Sequence, residues 1–211
     1  MSKKDYRLAA AAGLLIGLLA LPVLKALAPA SFGRSTLILV PFLFIATPLG
    51  LAIIYSLSRK FSLLWQVGKF AVIGVLNMFV DWGVMASLIF LMRNSFRIDS
   101  KDSIMSGITF YSLYKAASFI VANINSYYWN KYWTFAVQTT KKTNAEFLQF
   151  LVVSLIGFVA NVLVASFVFE SLRPIIGFTI DQRGIIGAAV GSAAGFLWNF
   201  VGYKFIVFKE R

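Results

Sequence analysis

Asp81, the lysines Lys69, Lys131 and Lys204, and the amides Asn77, Asn125, Asn130, Asn161 and Asn199 are the side chains whose types and spacing could do chemistry here. Asp81 stands twelfth in an apolar run that begins at Phe70, about 17 Å along a helix at a 1.5 Å rise per residue. That is near mid-bilayer, where a charged Asp costs roughly 2.5–3.5 kcal/mol. Such an acid faces a polar cavity, takes a partner or is held neutral. Lys115 can be that partner only if the two helices are staggered. Asp81 therefore reads either as a hydrogen-bonded structural acid or as part of a polar cavity or proton-sensitive switch. Lys131 and Lys204 sit among aromatics in the segments NKYWTF (Asn130–Phe135) and YKFIVF (Tyr203–Phe208). Lysines placed this way snorkel as interfacial anchors. With Lys69 they could instead hold one lipid phosphate as point charges. The asparagines can bond across helices as glue or exchange hydrogen bonds with a hydroxyl-rich ligand.

Other chemistries are excluded by composition. The chain has no Cys and no His, which removes thiol catalysis, disulfides, histidine bases and the usual zinc sites. Neither a cofactor nor a metal is expected. Apolar residues make up 59% of the 211 and charged ones 13%, against about 45–50% and about 25% in soluble domains. A chain this apolar cannot cover its surface with polar groups, so lipid must cover part of it. The net charge of +12 then favours an anionic membrane surface or anionic lipid over nucleic acid.

The elements that position these residues are membrane spans. About twenty apolar residues cross a hydrocarbon core of about 30 Å. Six stretches qualify: Leu8–Ala28, Leu37–Leu57, Phe70–Met92, Leu113–Phe135, Phe147–Phe169 and Gly184–Ile206. The short alternating strands of an outer-membrane barrel are missing, so the expected class is all-α and polytopic. The first span is too long for a signal-peptide core and carries Lys25 near its end, so it is expected to be retained. If both termini are cytoplasmic, that side carries Lys3, Lys4, Arg7, Arg59, Lys60, Lys69, Lys131, Lys141, Lys142, Lys204, Lys209 and Arg211. The other side carries Arg34, Arg93, Arg97, Lys101, Arg173 and Arg183, with Lys25 and Lys115 inside spans. The excess places both ends inside.

Spans three to six carry a weak internal repeat. At an offset of 80, Phe70, Gly74, Asn77 and Asp81 fall on Phe150, Ser154, Gly157 and Asn161. At an offset of 73, Ser118, Ala122, Ser126, Lys131 and Phe135 fall on Gly191, Gly195, Asn199, Lys204 and Phe208. The first set and the small-residue positions of the second keep helical spacing, so each marks one face of a helix. Gly187, Gly191 and Gly195 make a small-xxx-small ladder that admits a neighbouring helix. Pro22, Pro41 and Pro48 fall in the first two spans, which lack internal Asn or Asp. The expected organisation is an N-terminal two-helix membrane unit at residues 1–60 and a four-helix core at 61–211. The core is read as two parallel two-helix repeats, at about 65–137 and 145–211.

The run Phe70–Asp81 (Phe-x3-Gly-x2-Asn-x3-Asp) and the ending Asn130–Phe135, with their degenerate copies, resemble the GtrA-like family of small membrane proteins. The resemblance covers about residues 61–211; the first two spans depart from that family's usual four. It implies translocation of a polyprenyl-phosphate-linked sugar across the cytoplasmic (inner) membrane for cell-surface polysaccharide glycosylation. It also implies a membrane glycosyltransferase as partner. Lys69, Lys131 and Lys204 are then expected to hold the phosphate. Asn77, Asp81, Asn125, Asn130, Asn161 and Asn199 are expected to line a polar groove, while the prenyl tail stays in lipid. No step breaks a bond, so no enzyme activity is expected. Four core helices are few to enclose a path, which makes a homodimer an open arrangement. Two other functions stay open: a scaffold that docks a glycosyltransferase without moving lipid, and a small proton-coupled exporter of cations using Asp81.

Overall fold

The computed structural model describes residues 1–105, 107–137, 143–172, 177 and 179–209. The described residues form six long α-helices. Five of them are long and apolar enough to cross a membrane. The chain is an all-α polytopic membrane protein, as expected from its spans. The orientation residues Lys141, Lys142, Arg173 and Arg211 lie outside the described residues.

The helices pack as two compact units, Met1–Ala136 and Val137–Arg211. In the first, α1 (Lys3–Leu27) starts with a capping box. The Ser2 hydroxyl accepts from the Asp5 N–H at 3.1 Å, and the Ser2 N–H donates to the Asp5 carboxylate at 3.2 Å. Reciprocal bonds of this kind satisfy amides that a helix start leaves orphaned. Helix α2 (Leu39–Leu57) follows two short 3₁₀ turns, Pro29–Ser31 and Arg34–Ile38. Gly17 admits α2 closely: a Cβ there would lie 2.8 Å from the Val40 Cα. This contact continues from Gly13, and Ala9 completes the i, i+4 row. The row is a small-residue ladder in the span pair that the sequence marks mainly by its prolines.

Helix α3 (Ser62–Phe96) runs 35 residues, well beyond the span Phe70–Met92 drawn from hydropathy. It ends at Arg97 in the left-handed region, φ 56°. A small antiparallel hairpin follows, β1 (Ser103–Met105) paired with β2 (Ile108–Thr109), an addition to the all-helical expectation. Helix α4 (Phe110–Trp129) has 20 residues. It is long enough to cross but falls outside the apolar five, because Lys115, Asn123, Asn125 and several tyrosines interrupt it. Its end widens into a π-helical turn, Asn130–Thr134.

All four of these helices share one buried cluster, from Ala12 and Ile16 through Leu51, Ile73, Leu76 and Val80 to Ala122. Within the described packing, therefore, the N-terminal pair sits against α3, which in turn carries α4. The boundary between the two compact units falls after Ala136.

The second unit holds α5 (Thr143–Ser171) and α6 (Ile180–Gly202), the latter opened by a Thr179–Gln182 capping box and closed by a π turn, Tyr203–Val207. The glycine ladder of α6 lies directly on α5. A Cβ on Gly187 would lie 2.7 Å from the Ala165 carbonyl oxygen, and one on Gly195 2.9 Å from that of Gly157. No larger residue fits there without separating the helices.

Candidate functional site

The site is built where α4 loses its regular pitch. In the turn Asn130–Thr134 the Phe135 N–H reaches back five residues to the Asn130 carbonyl, at 2.9 Å. Single π turns of this kind occur often at functional positions. Asn130 is buried, and its amide donates to the Ser126 carbonyl at 2.9 Å and hydroxyl at 3.2 Å. Lys131 is wholly buried, with Nζ donating to the Tyr127 hydroxyl at 3.0 Å. Lys69, six per cent exposed, comes from the start of α3 and donates to the Trp133 carbonyl at 2.7 Å. Its ammonium also lies 5.3 Å from the Trp65 ring centre. A cation at the carboxyl end of a helix meets the orphaned carbonyls and the negative end of the dipole.

Lys69 and Lys131 are thus brought to one turn. Both stand inside the packed unit beside aromatic neighbours, and the start of α1 lies near Lys69. That start includes Asp5, whose carboxylate accepts from the Trp133 indole N–H at 3.1 Å. Asp5 was not among the residues singled out from the sequence. The signal available was the Ser2-x-x-Asp5 spacing of a capping box, which reads as a helix start only.

Asp81 lies twelve residues beyond Lys69 on α3, about 18 Å along the helix, and does not join the lysines. It pairs with Lys115 of α4, whose Nζ donates to one carboxylate oxygen, while the Ser118 hydroxyl donates to the other at 2.6 Å. The stagger that this pairing requires is therefore present. Asp81 is 19% exposed and Lys115 44%, so the pair sits at an edge rather than in a sealed interior.

The amides divide by environment. Asn123, passed over in the sequence, is satisfied by the Phe119 carbonyl at 2.9 Å. Asn77 Oδ1, Asn125 Nδ2, Asn130 Oδ1 and Thr134 Oγ1 are buried without a hydrogen-bond partner among the described residues. In hydrocarbon surroundings each such atom carries a desolvation cost. A ligand rich in hydroxyls removes that cost.

The second unit repeats parts of this arrangement. Its π turn occupies Tyr203–Val207, 73 positions after Asn130–Thr134, and Lys204 holds the place of Lys131. Phe70 meets Phe135 with ring centres 6.3 Å apart, and the offset counterparts Phe150 and Phe208 meet at 6.4 Å. Lys204 is half-buried, 5.5 Å from the Phe205 ring centre. The place of Asn130 is taken by Tyr203, whose hydroxyl bonds with that of Ser154 at 2.6 Å. Asn199 lies flat on Gly157, where an added Cβ would come within 2.7 Å of the amide carbon. Its Oδ1 is buried without a partner among the described residues. Asn161, the counterpart of Asp81, lies against Gly191 and Gly195. Where the first unit has the acid, the second has an uncharged amide.

Among the described residues no group of His, Cys, Asp and Glu could hold a metal ion. Compared with known families, residues 69–208 match the family described as GtrA/DPMS, transmembrane domain. No curated protein and no solved structure matches the chain significantly.

Proposed function

Because the chain belongs to the GtrA/DPMS transmembrane-domain family, matched over residues 69–208, and is thereby a membrane protein of polyprenyl-phosphate sugar handling, we propose that it translocates such a lipid-linked sugar across the cytoplasmic membrane. The observation that carries this reading is the set of buried, unpartnered amide atoms on Asn77, Asn125, Asn130 and Asn199, accompanied by lysines held in the π turns. Lys69 and Lys131 neutralise the phosphate in the first unit, as point charges, and Lys204 does the same in the second. The sugar hydroxyls exchange hydrogen bonds with Asn77, Asn125, Asn130, Asn161 and Asn199 as it passes, and the prenyl chain remains in lipid. Both termini are cytoplasmic in this scheme, two copies of the chain can complete the path, and a membrane glycosyltransferase supplies or uses the lipid-linked sugar. No bond is broken, so the protein acts without catalysis.

The experiment is reconstitution in liposomes loaded with a polyprenyl-phosphate sugar, measuring its exposure on the far leaflet. Wild type is expected to raise exposure, and Lys131→Ala with Lys204→Ala to abolish the increase. Unchanged exposure in the double variant removes the phosphate role.

A second reading, a scaffold that docks a glycosyltransferase, draws support from α2, whose Phe42, Phe44, Ile45, Leu49 and Ile53 stay exposed in the chain alone. Co-purification with the transferase and no lipid movement without it selects this reading. A cation exporter relying on Asp81 is disfavoured, since that carboxylate is already engaged by Lys115 and Ser118.

A further inference from the structure

We infer that Asp5, on the N-terminal helix that lies before the family match, is a specificity-determining residue that biases the basic end of the first unit toward a singly charged phosphodiester and against a doubly charged phosphomonoester. The inference rests on the reading that Lys69 and Lys131 meet the phosphate. A sugar-linked prenyl phosphate is a diester with one negative charge. The same carrier without its sugar is a monoester with up to two. Translocation in one direction gains if the site prefers the loaded form.

The geometry behind this is a short relay. Asp5 accepts from the Trp133 indole at 3.1 Å, and the carbonyl of the same Trp133 accepts from Lys69 at 2.7 Å. Asp5 and Lys69 attract one another across this tryptophan, while Lys4 repels Lys69. The carboxylate is fixed by two further bonds, from the Ser2 N–H at 3.2 Å and the Ser2 hydroxyl at 2.6 Å. A capping box alone asks for no contact with the far end of α4, 128 residues away.

A fixed negative charge repels an approaching anion in proportion to that anion's charge. Whatever other groups surround Lys131, removing the charge of Asp5 must help a dianion about twice as much, in logarithm of affinity, as a monoanion. Asp5→Asn removes the charge while keeping an oxygen that can accept from Trp133 and Ser2. Asp5→Glu keeps the charge and the capping geometry.

The test measures binding of geranyl phosphate and of its glucosyl phosphodiester to the full chain in detergent, at about pH 8 where the monoester is doubly charged. Wild type is expected to bind the monoester less favourably, relative to the diester, than Asp5→Asn does. Asp5→Asn is expected to bind the diester about threefold and the monoester about tenfold more tightly, and Asp5→Glu to keep the wild-type ratio. Equal gains for both ligands in Asp5→Asn, or an Asp5→Glu ratio shifted as far as that of Asp5→Asn, overturn the inference while leaving the phosphate site standing. Wild type binding neither ligand overturns both. Thermal unfolding of each variant shows whether it is folded. If Asp5→Asn does not fold, Ser2→Ala with Asp5→Gln takes its place with the same expected ratio.

Discussion

Lys115 of α4 and Asp81 of α3 form an ion pair across two helices, with the Ser118 hydroxyl on the second carboxylate oxygen. The acid at the middle of α3 is thus neutralised by a partner of its own unit. Removing one member leaves the other uncompensated in low dielectric, and the partial exposure of both softens the loss.

Asp81→Asn or Lys115→Met alone is expected to destabilise the protein by about 1–2 kcal/mol. The double variant should lose less than the sum of the two. Thermal unfolding in detergent, run as a double-mutant cycle, measures the coupling. Strict additivity would show that the pair contributes no coupling.

The glycine ladder supplies a second prediction. A Cβ at Gly191 would lie 2.7 Å from the Ala165 Cβ and run into the Asn161 backbone, whereas one at Gly184 meets nothing within 4 Å. Gly191→Val is expected to cost about 1–3 kcal/mol by overpacking. Gly184→Ala is expected to be neutral or stabilising, since alanine is the better helix former. Comparing the two melting temperatures checks it.

The unpartnered amides should separate stability from function. Asn77→Ala removes a buried polar atom that has no partner among the described residues, so stability should change by less than about 0.5 kcal/mol or rise slightly. Sugar-lipid translocation in liposomes should fall about tenfold. Asn123→Ala deletes a satisfied hydrogen bond and should do the reverse, lowering stability by about 1 kcal/mol with translocation maintained. Equal translocation in the two variants would deny the groove its amides.

Trp133→Phe removes the indole donor to Asp5 and leaves the carbonyl that receives Lys69. The expected loss is about 1 kcal/mol for the hydrogen bond, read by thermal unfolding. In Asp5→Asn with Trp133→Phe the second change should cost less than it does alone, because the charge-assisted part of the bond is already gone.

Much of this was legible before any coordinates. Hydropathy marks the spans because a bilayer sets their length. The offsets of 80 and 73 find the paired rings Phe70–Phe135 and Phe150–Phe208 because both halves keep one helical face. The Asp81–Lys115 pair was visible only as a possibility, since the stagger of α3 and α4 is a tertiary property that neither helix's own pattern encodes. The depth of Lys69 and Lys131 was hidden for another reason. Aromatic neighbours in a sequence look alike whether they anchor a lysine at an interface or cover it from above. The ladder at Ala9, Gly13 and Gly17 has the same spacing as Gly187, Gly191 and Gly195, but in a run rich in alanine such spacing does not by itself name the helix that it meets. The role of Asp5 could not be read from a local pattern, because its partner is at the other end of the unit.

The widened turn occurs at the same register in both halves, Asn130–Thr134 and Tyr203–Val207, although just one residue, the lysine, is identical between them. A backbone irregularity that persists under different side chains does not hang on any one of them, so single substitutions within either segment should leave the bulge in place.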